Sequence, residues 1–306
     1  MVVTPTYCTK ENKRIELLLQ CIYWMQQQTH RDFMHVVVDD GSTDNSPELL
    51  DRLTTKNKQV LVYHKENGGA SSAINFGVEK ALSQFNPDFI TITHSDDLLP
   101  PESLEDRLNI AAGKKAQMVY TDIAIFYESR APPVWQKARD FNSAEQLYQA
   151  LLNHKYIPYP TMIWERDFYL DTIHGYDPII KSAEDWDIAL TTARELAVHD
   201  LKHAVLHKVT AFYRIHENNL MYKNIRDGTR WKCYKMILAK HLKGKQLQYH
   251  LAKEAFILAR ALLPEPIKKP LRKVRSMILA KTPNFLPYKD EFLDEIRKID
   301  YKTAAK

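Results

Sequence analysis

An α/β sandwich on a mostly parallel sheet is the fold class this sequence predicts. Short β-branched and apolar runs alternate with segments of helical periodicity up to residue 122. Most of the runs end in a polar or acidic turn, as at Val38-Asp39-Asp40-Gly41 and Ile92-Thr93-His94-Ser95-Asp96-Asp97. Strands and helices alternating at this spacing imply right-handed crossovers, which cover both faces of a parallel sheet.

Val2-Val3-Thr4 predicts the first strand, ending at Pro5 with Thr6, Tyr7 and Cys8 in the loop beyond. Ile15, Leu18, Leu19 and Ile22 recur at helical spacing and predict an amphipathic helix to about residue 28. A second strand over 35–38 runs straight into Asp39-Asp40-Gly41-Ser42-Thr43-Asp44. A helix over 47–53, a strand over 60–63 and the turn Glu66-Asn67-Gly68-Gly69 then lead into a small-residue helix over 70–85. The strand over 89–92 ends at the adjacent acids Asp96 and Asp97, and a helix over 102–112 and a strand over 118–121 follow. Past Asp122 the alternation fades. A loop carrying Pro132 and Pro133 precedes a helix over 143–153, a Tyr/Pro segment over 156–160, a strand over 162–164 and a short helix over 167–173. A helix starts near Ser182, and 205–213 reads as a strand. Beyond Trp231 the pattern is helical almost to the end, broken by five prolines. The expected division is 1–225 for the main domain, with halves 1–122 and 123–225, and 226–306 for a helical C-terminal region.

Composition narrows the function classes. Hydrophobic residues at 44% and charged residues at 26% of 306 positions are those of a globular chain. A net charge of +5 is too mild for a dedicated nucleic-acid binder. Cys8, Cys21 and Cys233 have no paired spacing, so neither a disulfide framework nor a zinc site is expected, and a reducing cytoplasm fits. No apolar run approaches the roughly 18 residues of a membrane span, and no basic leader precedes the first strand.

Four polar clusters fall at ends of strands or helices: Pro5-Thr6-Tyr7, the turn from Asp39 to Ser46, Ser95-Asp96-Asp97, and Ser182-Ala183-Glu184-Asp185-Trp186-Asp187. In an open α/β sheet, ligands bind beyond the carboxyl ends of the strands, and paired carboxylates there can hold a divalent cation against a phosphate. The four clusters in this order resemble the family 2 inverting glycosyltransferases, which have the GT-A fold, a Rossmann-like sandwich that binds nucleotide-diphospho-sugars. The resemblance runs from Val2 to about Asn219. Its strongest part is Val38-Asp39-Asp40-Gly41-Ser42-Thr43-Asp44, nearly letter for letter the family's signature.

The resemblance implies roles for particular residues. Pro5, Thr6 and Tyr7 would line the base, and Asp40 would read it. An aromatic face suits a pyrimidine ring, and a carboxylate accepts the uracil ring N–H that cytosine lacks. Asn67 and its glycines would approach the ligand, although a glycine-rich helix start is the commoner meaning, and Ile74 stands where family members often have Arg. Asp97 would bind Mn²⁺ or Mg²⁺ on the diphosphate, with Asp96 on ribose or sugar hydroxyls. His216 and Arg214, in a segment similar to the family's Tyr-Arg-x-His, would add a metal and a phosphate contact. Asp185 would be the catalytic base, with Glu184 beside it and Trp186 against a sugar face. Structural readings stay open for several of these: Tyr7 or Trp186 in the core, Asp39 as a turn acid, His216 as a structural histidine, and Ser182 with Asp185 as a capping box.

The implied protein is a cytoplasmic, metal-dependent inverting glycosyltransferase that moves a sugar, expected from a UDP-sugar, to a hydroxyl of a glycan or glycolipid in cell-surface polysaccharide assembly. Transfer to a polyprenyl phosphate, a nucleotidyltransferase and a non-catalytic sugar-nucleotide-binding protein are the alternatives. Against a nucleotidyltransferase, this sequence lacks a glycine- and lysine-rich triphosphate loop after its first strand. The stretch 267–281 has six basic residues and no acid. As a helix it would either lie peripherally on an anionic membrane surface or pack its apolar face on the main domain.

Overall fold

Valines fix the centre of the sheet. The computed structural model describes residues 1–127, 133–153, 157–216, 224–261 and 285–287. Strands β1 (Val2–Thr6) and β2 (His35–Asp39) are buried at every position, as expected of parallel strands covered on both faces. They alternate with α1 (Ile15–Gln26) and α2 (Ser46–Lys56), and are followed by β3 (Val60–His64), α3 (Ala70–Leu82), β4 (Phe89–Ile92), α4 (Ser103–Lys114) and β5 (Met118–Tyr127). Beyond these lie β6 (Val134–Gln136), α5 (Ala144–Leu152), β7 (Ile163–Glu165), α6 (Glu184–Val198), β8 (His203–Ile215), α7 (Thr229–His241), α8 (Gly244–Ala261) and β9 (Phe285–Pro287).

The sheet order is β3-β2-β1-β4-β7-β5-β6-β9, and β8 pairs with β5. Pairing is parallel among β1 to β4 and between β5 and β8, so the carboxyl ends of β1, β2, β3 and β4 share one edge. Strand β7 runs antiparallel between β4 and β5. This is the mixed α/β sandwich the sequence predicts.

Three local features differ from the expected pattern. Strand β1 continues through Pro5, which lies opposite Val38. Val3 accepts from Thr93 on the β4 side and Thr6 accepts from Asp40 on the β2 side. Pro5, two residues after Val3, therefore faces the β4 side, where pairing ends at Val3↔Ile92, and its missing N–H breaks no ladder bond. Strand β5 is longer than predicted and kinks near Asp122, where its register with β8 shifts. The expected loop after residue 127 contains β6, and the expected helical tail contains β9, which pairs with it antiparallel. Pro287, the last residue of that strand, has no N–H to donate within a helix. The basic stretch 267–281 lies outside the described residues. Among the described residues no helix is long and apolar enough to cross a membrane.

The main core joins both halves of the chain and the C-terminal helices. It includes Val3, Val36 and Val38 of the sheet, Trp164, Trp186 and Leu190, and Cys233, Tyr234, Ile237 and Leu238 of α7. Helix α3 reaches the sheet through Gly77, where an added Cβ would sit 2.6 Å from Val38 Cγ2 and 3.0 Å from Val3 Cγ1. A glycine at this crossing lets the helix that follows the Glu66-Asn67-Gly68-Gly69 turn lie close on β1 and β2. Gly77→Ala gains helix propensity but overpacks two stiff β-branched side chains. The expected net effect is a loss of about 1–2 kcal/mol in urea unfolding; a stability gain would show that the helix can shift outward at no cost.

Candidate active site

The first corner is built by Asp40. Its carboxylate accepts from the backbone N–H of Gly68 (2.9 Å) and Gly69 (2.7 Å) and from Lys65 Nζ (2.8 Å). Asn67 Nδ2 donates to the Asp40 carbonyl at 2.9 Å. The end of β2 thus shapes the turn between β3 and α3, and Gly69, at φ 87°, takes a backbone conformation that favours glycine. Asp39 is a turn acid: it accepts from Ser42 N at 3.0 Å and meets His64 Nδ1 at 2.8 Å. Pro5 and Thr6 are buried next to it at the end of β1. Tyr7 is 40% exposed, so its ring lies on the surface of this corner and not in the core.

The second corner is the turn after β4. Asp96 Oδ2 lies 3.0 Å from His216 Nε2 and 3.6 Å from a guanidinium nitrogen of Arg14. Asp97 is turned inward, 1% exposed: one oxygen accepts from Arg214 N at 3.0 Å, and the other, Oδ2, is buried with no hydrogen-bond partner among the described residues. The two acids divide accordingly. Burial opposes ionisation of both, but the His216 hydrogen bond and the charges of Arg14 and His94 hold Asp96 well below the usual carboxylate range. Asp97 is pushed up to about 8 by burial and then by the charge of Asp96. The sequence-based assignment put the metal on Asp97; the geometry instead brings His216, the other expected ligand, to Asp96. Arg214, expected as a phosphate partner, is also turned inward. Its Nε donates to the Asp96 carbonyl at 2.9 Å, its NH2 to Gln20 at 2.6 Å, and its guanidinium lies 4.9 Å from the Phe126 ring centroid.

Among the described residues no group of three or more His, Cys, Asp and Glu is placed to hold a metal ion. A Mn²⁺ or Mg²⁺ ion nevertheless fits this corner, because such hard cations take one or two protein groups and fill their remaining positions with water and substrate phosphate oxygens.

The third corner is the start of α6. Its N-cap is Ala183, in the left-handed region at φ 62°, with no side-chain cap, so Ser182 and Asp185 do not form a capping box. Asp185 faces the second corner: its Oδ1 is 3.5 Å from His94 Nε2, and 29% of its side chain is exposed. Burial alone would pull His94 down, yet the carboxylates of Asp185, Asp97 and Asp96 push it up to about 10. Glu184 beside it is raised by burial and by the Asp185 charge. Trp186 is 2% exposed and donates from Nε1 to the Leu151 carbonyl at 3.1 Å, with its ring 4.9 Å from that of Tyr234. It is a core residue, unable to offer a face to a sugar.

Three contacts tie the first corner to the third. Ser71 Oγ donates to the Ile180 carbonyl at 3.2 Å, Asn75 pairs with both backbone groups of Tyr176 (2.6 and 3.0 Å), and Lys181 Nζ donates to the Gly68 carbonyl. Asp40, Asp96 and Asp185 are therefore linked around one edge of the sheet. A separate cavity of about 800 Å³ opens at the opposite edge, among Met1, Phe33, Phe89 and Leu104, and none of the site residues lines it. Ligands of open α/β sheets bind at the carboxyl edge, which places the chemistry away from that cavity. Lys65, Arg14 and His94 were not singled out from the sequence. Their only signal there is position, a basic side chain just beyond or before an element that ends at the acidic edge.

A parallel sheet whose carboxyl edge gathers these acidic turns defines a GT-A glycosyltransferase. Solved structures agree in fold: S. aureus TarS 1–349 in complex with UDP-GlcNAc has a TM-score of 0.59 at 20% identity, covering 82% of this chain and 70% of that one. The mannosyltransferase PcManGT from Pyrobaculum calidifontis, in complex with GDP-Man and Mn²⁺, has a TM-score of 0.54 at 18% identity, covering 99% and 84%. The chain belongs to glycosyl transferase family 2, whose model matches residues 1–172. It is 31% identical over 156 residues to the glycosyltransferase GlyG of Streptococcus pneumoniae serotype 4, a match that covers 50% of this chain and 49% of that protein. The chain thus spans about half the length of this relative.

Because Asp40 satisfies two backbone donors and an ammonium, it supports the fold before any ligand arrives. Asp40→Ala is expected to cost about 2–4 kcal/mol in urea unfolding without nucleotide, since buried donors are left unpaired. A variant with unchanged stability would confine Asp40 to ligand reading.

Proposed function

We propose that this enzyme transfers a sugar from a UDP-sugar to a hydroxyl of a glycan or glycolipid, with inversion and with a bound divalent cation, in cell-surface polysaccharide assembly. The observation that carries the reading is the Asp96–His216 contact at 3.0 Å on the same sheet edge as Asp40 and Asp185. TarS in complex with UDP-GlcNAc and PcManGT in complex with GDP-Man and Mn²⁺ support a sugar-nucleotide donor and a divalent ion. The missing transmembrane helix among the described residues is consistent with action from the cytoplasm, with the stretch 267–281 on the inner membrane surface.

In this reading Tyr7 covers the base, and Asp40 with the Asn67-Gly68-Gly69 turn shapes its pocket. Asp96 and His216 would hold Mn²⁺ or Mg²⁺, which would supply neutralisation of the charge that builds on the departing diphosphate. Asp97 and Arg214 set the angle of the turn from beneath. Asp185 takes the proton of the acceptor hydroxyl as its oxygen attacks the anomeric carbon opposite the diphosphate, so one displacement inverts the configuration. Its free helix start and partial exposure leave it open to an acceptor.

Calorimetry separates these roles. UDP is expected to bind more tightly with Mn²⁺ than without, and Asp96→Ala should remove at least tenfold of that gain. Asp97→Asn, which keeps the side chain's shape and its oxygen facing Arg214 N, should remain within threefold of the parent; the opposite ranking would return the ion to Asp97. Asp185→Asn should bind UDP like the parent and lose turnover by about 100-fold or more, within the range of general-base catalysis.

A further inference from the structure

His94 lies between the second and third corners, and nothing in the reaction as set out above uses it. Its backbone is fixed on both sides: Thr93 N donates to the Val3 carbonyl at 3.0 Å, and Asp97 N donates to the His94 carbonyl at 3.1 Å. Its ring is 23% exposed and its Nε2 is 3.5 Å from Asp185 Oδ1, across 91 positions of sequence. Asp185 stands in the first turn of α6, which begins at a left-handed Ala183 without a side-chain cap.

We propose that His94 is a positioning residue that orients the carboxylate of Asp185 toward the acceptor. The inference rests on the reading of Asp185 as the base. The torsion that turns an aspartate carboxylate is broad, so a partly exposed Asp185 left to itself would sample several orientations. A ring nitrogen held by the end of β4 engages Oδ1 and leaves Oδ2 to face the acceptor hydroxyl, the arrangement of a base oriented by a third group. Because His94 is two residues from Asp96, the same turn that carries the cation corner also sets the angle of the base. Its role is one of direction and not of donor binding, for the carboxylate its ring meets, at 3.5 Å, is that of the proposed base. Loss of the ring should therefore lower kcat and leave the donor's affinity intact.

The test uses the full chain with Mn²⁺, UDP-GlcNAc as donor probe and water as acceptor, following UDP release. His94→Ala is expected to lower kcat at least tenfold while KM for UDP-GlcNAc and Kd for UDP stay within twofold. His94→Gln, which retains a side-chain N–H donor, should recover part of the loss, and adding His94→Ala to Asp185→Asn should cost nothing further. An unchanged kcat, or a parallel loss of UDP affinity that makes His94 a donor ligand, overturns the proposal. A parent protein that binds UDP but releases none from UDP-GlcNAc counts against the donor chosen, and His94 is then judged by NMR. Asp185→Asn should displace the His94 ring N–H signal, identified by its loss in His94→Ala; an unmoved signal also overturns the proposal.

Discussion

The site depends on how the turn after β4 is laced to the end of β8. Leu98 and Phe212 exchange two backbone hydrogen bonds, at 3.1 and 2.8 Å, forming a bridge outside the regular strands. Arg214 then donates its N–H to Asp97 and its guanidinium Nε to the Asp96 carbonyl. These bonds join residues separated by more than 110 positions, and they determine that His216, two residues past Arg214, arrives at Asp96. A buried guanidinium engaged by a carbonyl, a side-chain amide and an aromatic face is costly to misplace, because each lost partner would leave a buried donor unpaired. The acidic turn is therefore a preorganised feature of the sheet edge.

The same logic runs from the first corner of the site to the third. Asp40 organises Gly68 and Gly69, whose turn opens α3; α3 in turn holds the segment before α6 through Ser71 and Asn75. Gly175 shows how close the Asn75 clamp is: an added Cβ there would meet Asn75 Oδ1 at 2.8 Å. The shape of the Gly68-Gly69 turn is thus transmitted to the helix that carries Asp185 by hydrogen bonds to backbone, which are insensitive to what side chains occupy 176 and 180.

Much of this was legible in the sequence. Valine-rich runs ending in acids give parallel strands with their carboxyl ends at one edge, and that period is strong enough to place Asp40, Asp96 and Asp185 at element ends. What periodicity lacks is direction. Asp96 and Asp97 are adjacent at a turn, and which of them faces the cleft depends on the Arg214 N–H, supplied from a strand more than a hundred residues later. Trp186 reads equally well as a sugar platform or a core residue until the Leu151 carbonyl is seen to accept from its indole. The capping-box pattern at Ser182 fails for a similar reason: Ala183 turns left-handed to fit the packed segment before α6, and tertiary contact overrides the local preference. Strands β6 and β9 are three residues long, too short for any alternation to register.

The C-terminal helices bear on the chemistry more directly than a separate helical region would. Lys240 of α7 reaches both Asp177, at 2.5 Å, and Asp187, at 2.9 Å, so one ammonium joins the segment before α6 to its first turn. Asp187 is 4% exposed, and burial raises its carboxyl even against the pull of Lys240. Its partner must stay in place for the charge to be tolerated at all. Tyr234 of the same helix stacks at a tilt on Trp186, the residue following Asp185. Two neighbours of the candidate base are thus anchored to α7 by a shared cation and an aromatic contact. Asp185 is thus met from the sheet side by His94, at 3.5 Å, and its helix is anchored from the outer side by a helix beyond the residues matched by the family model.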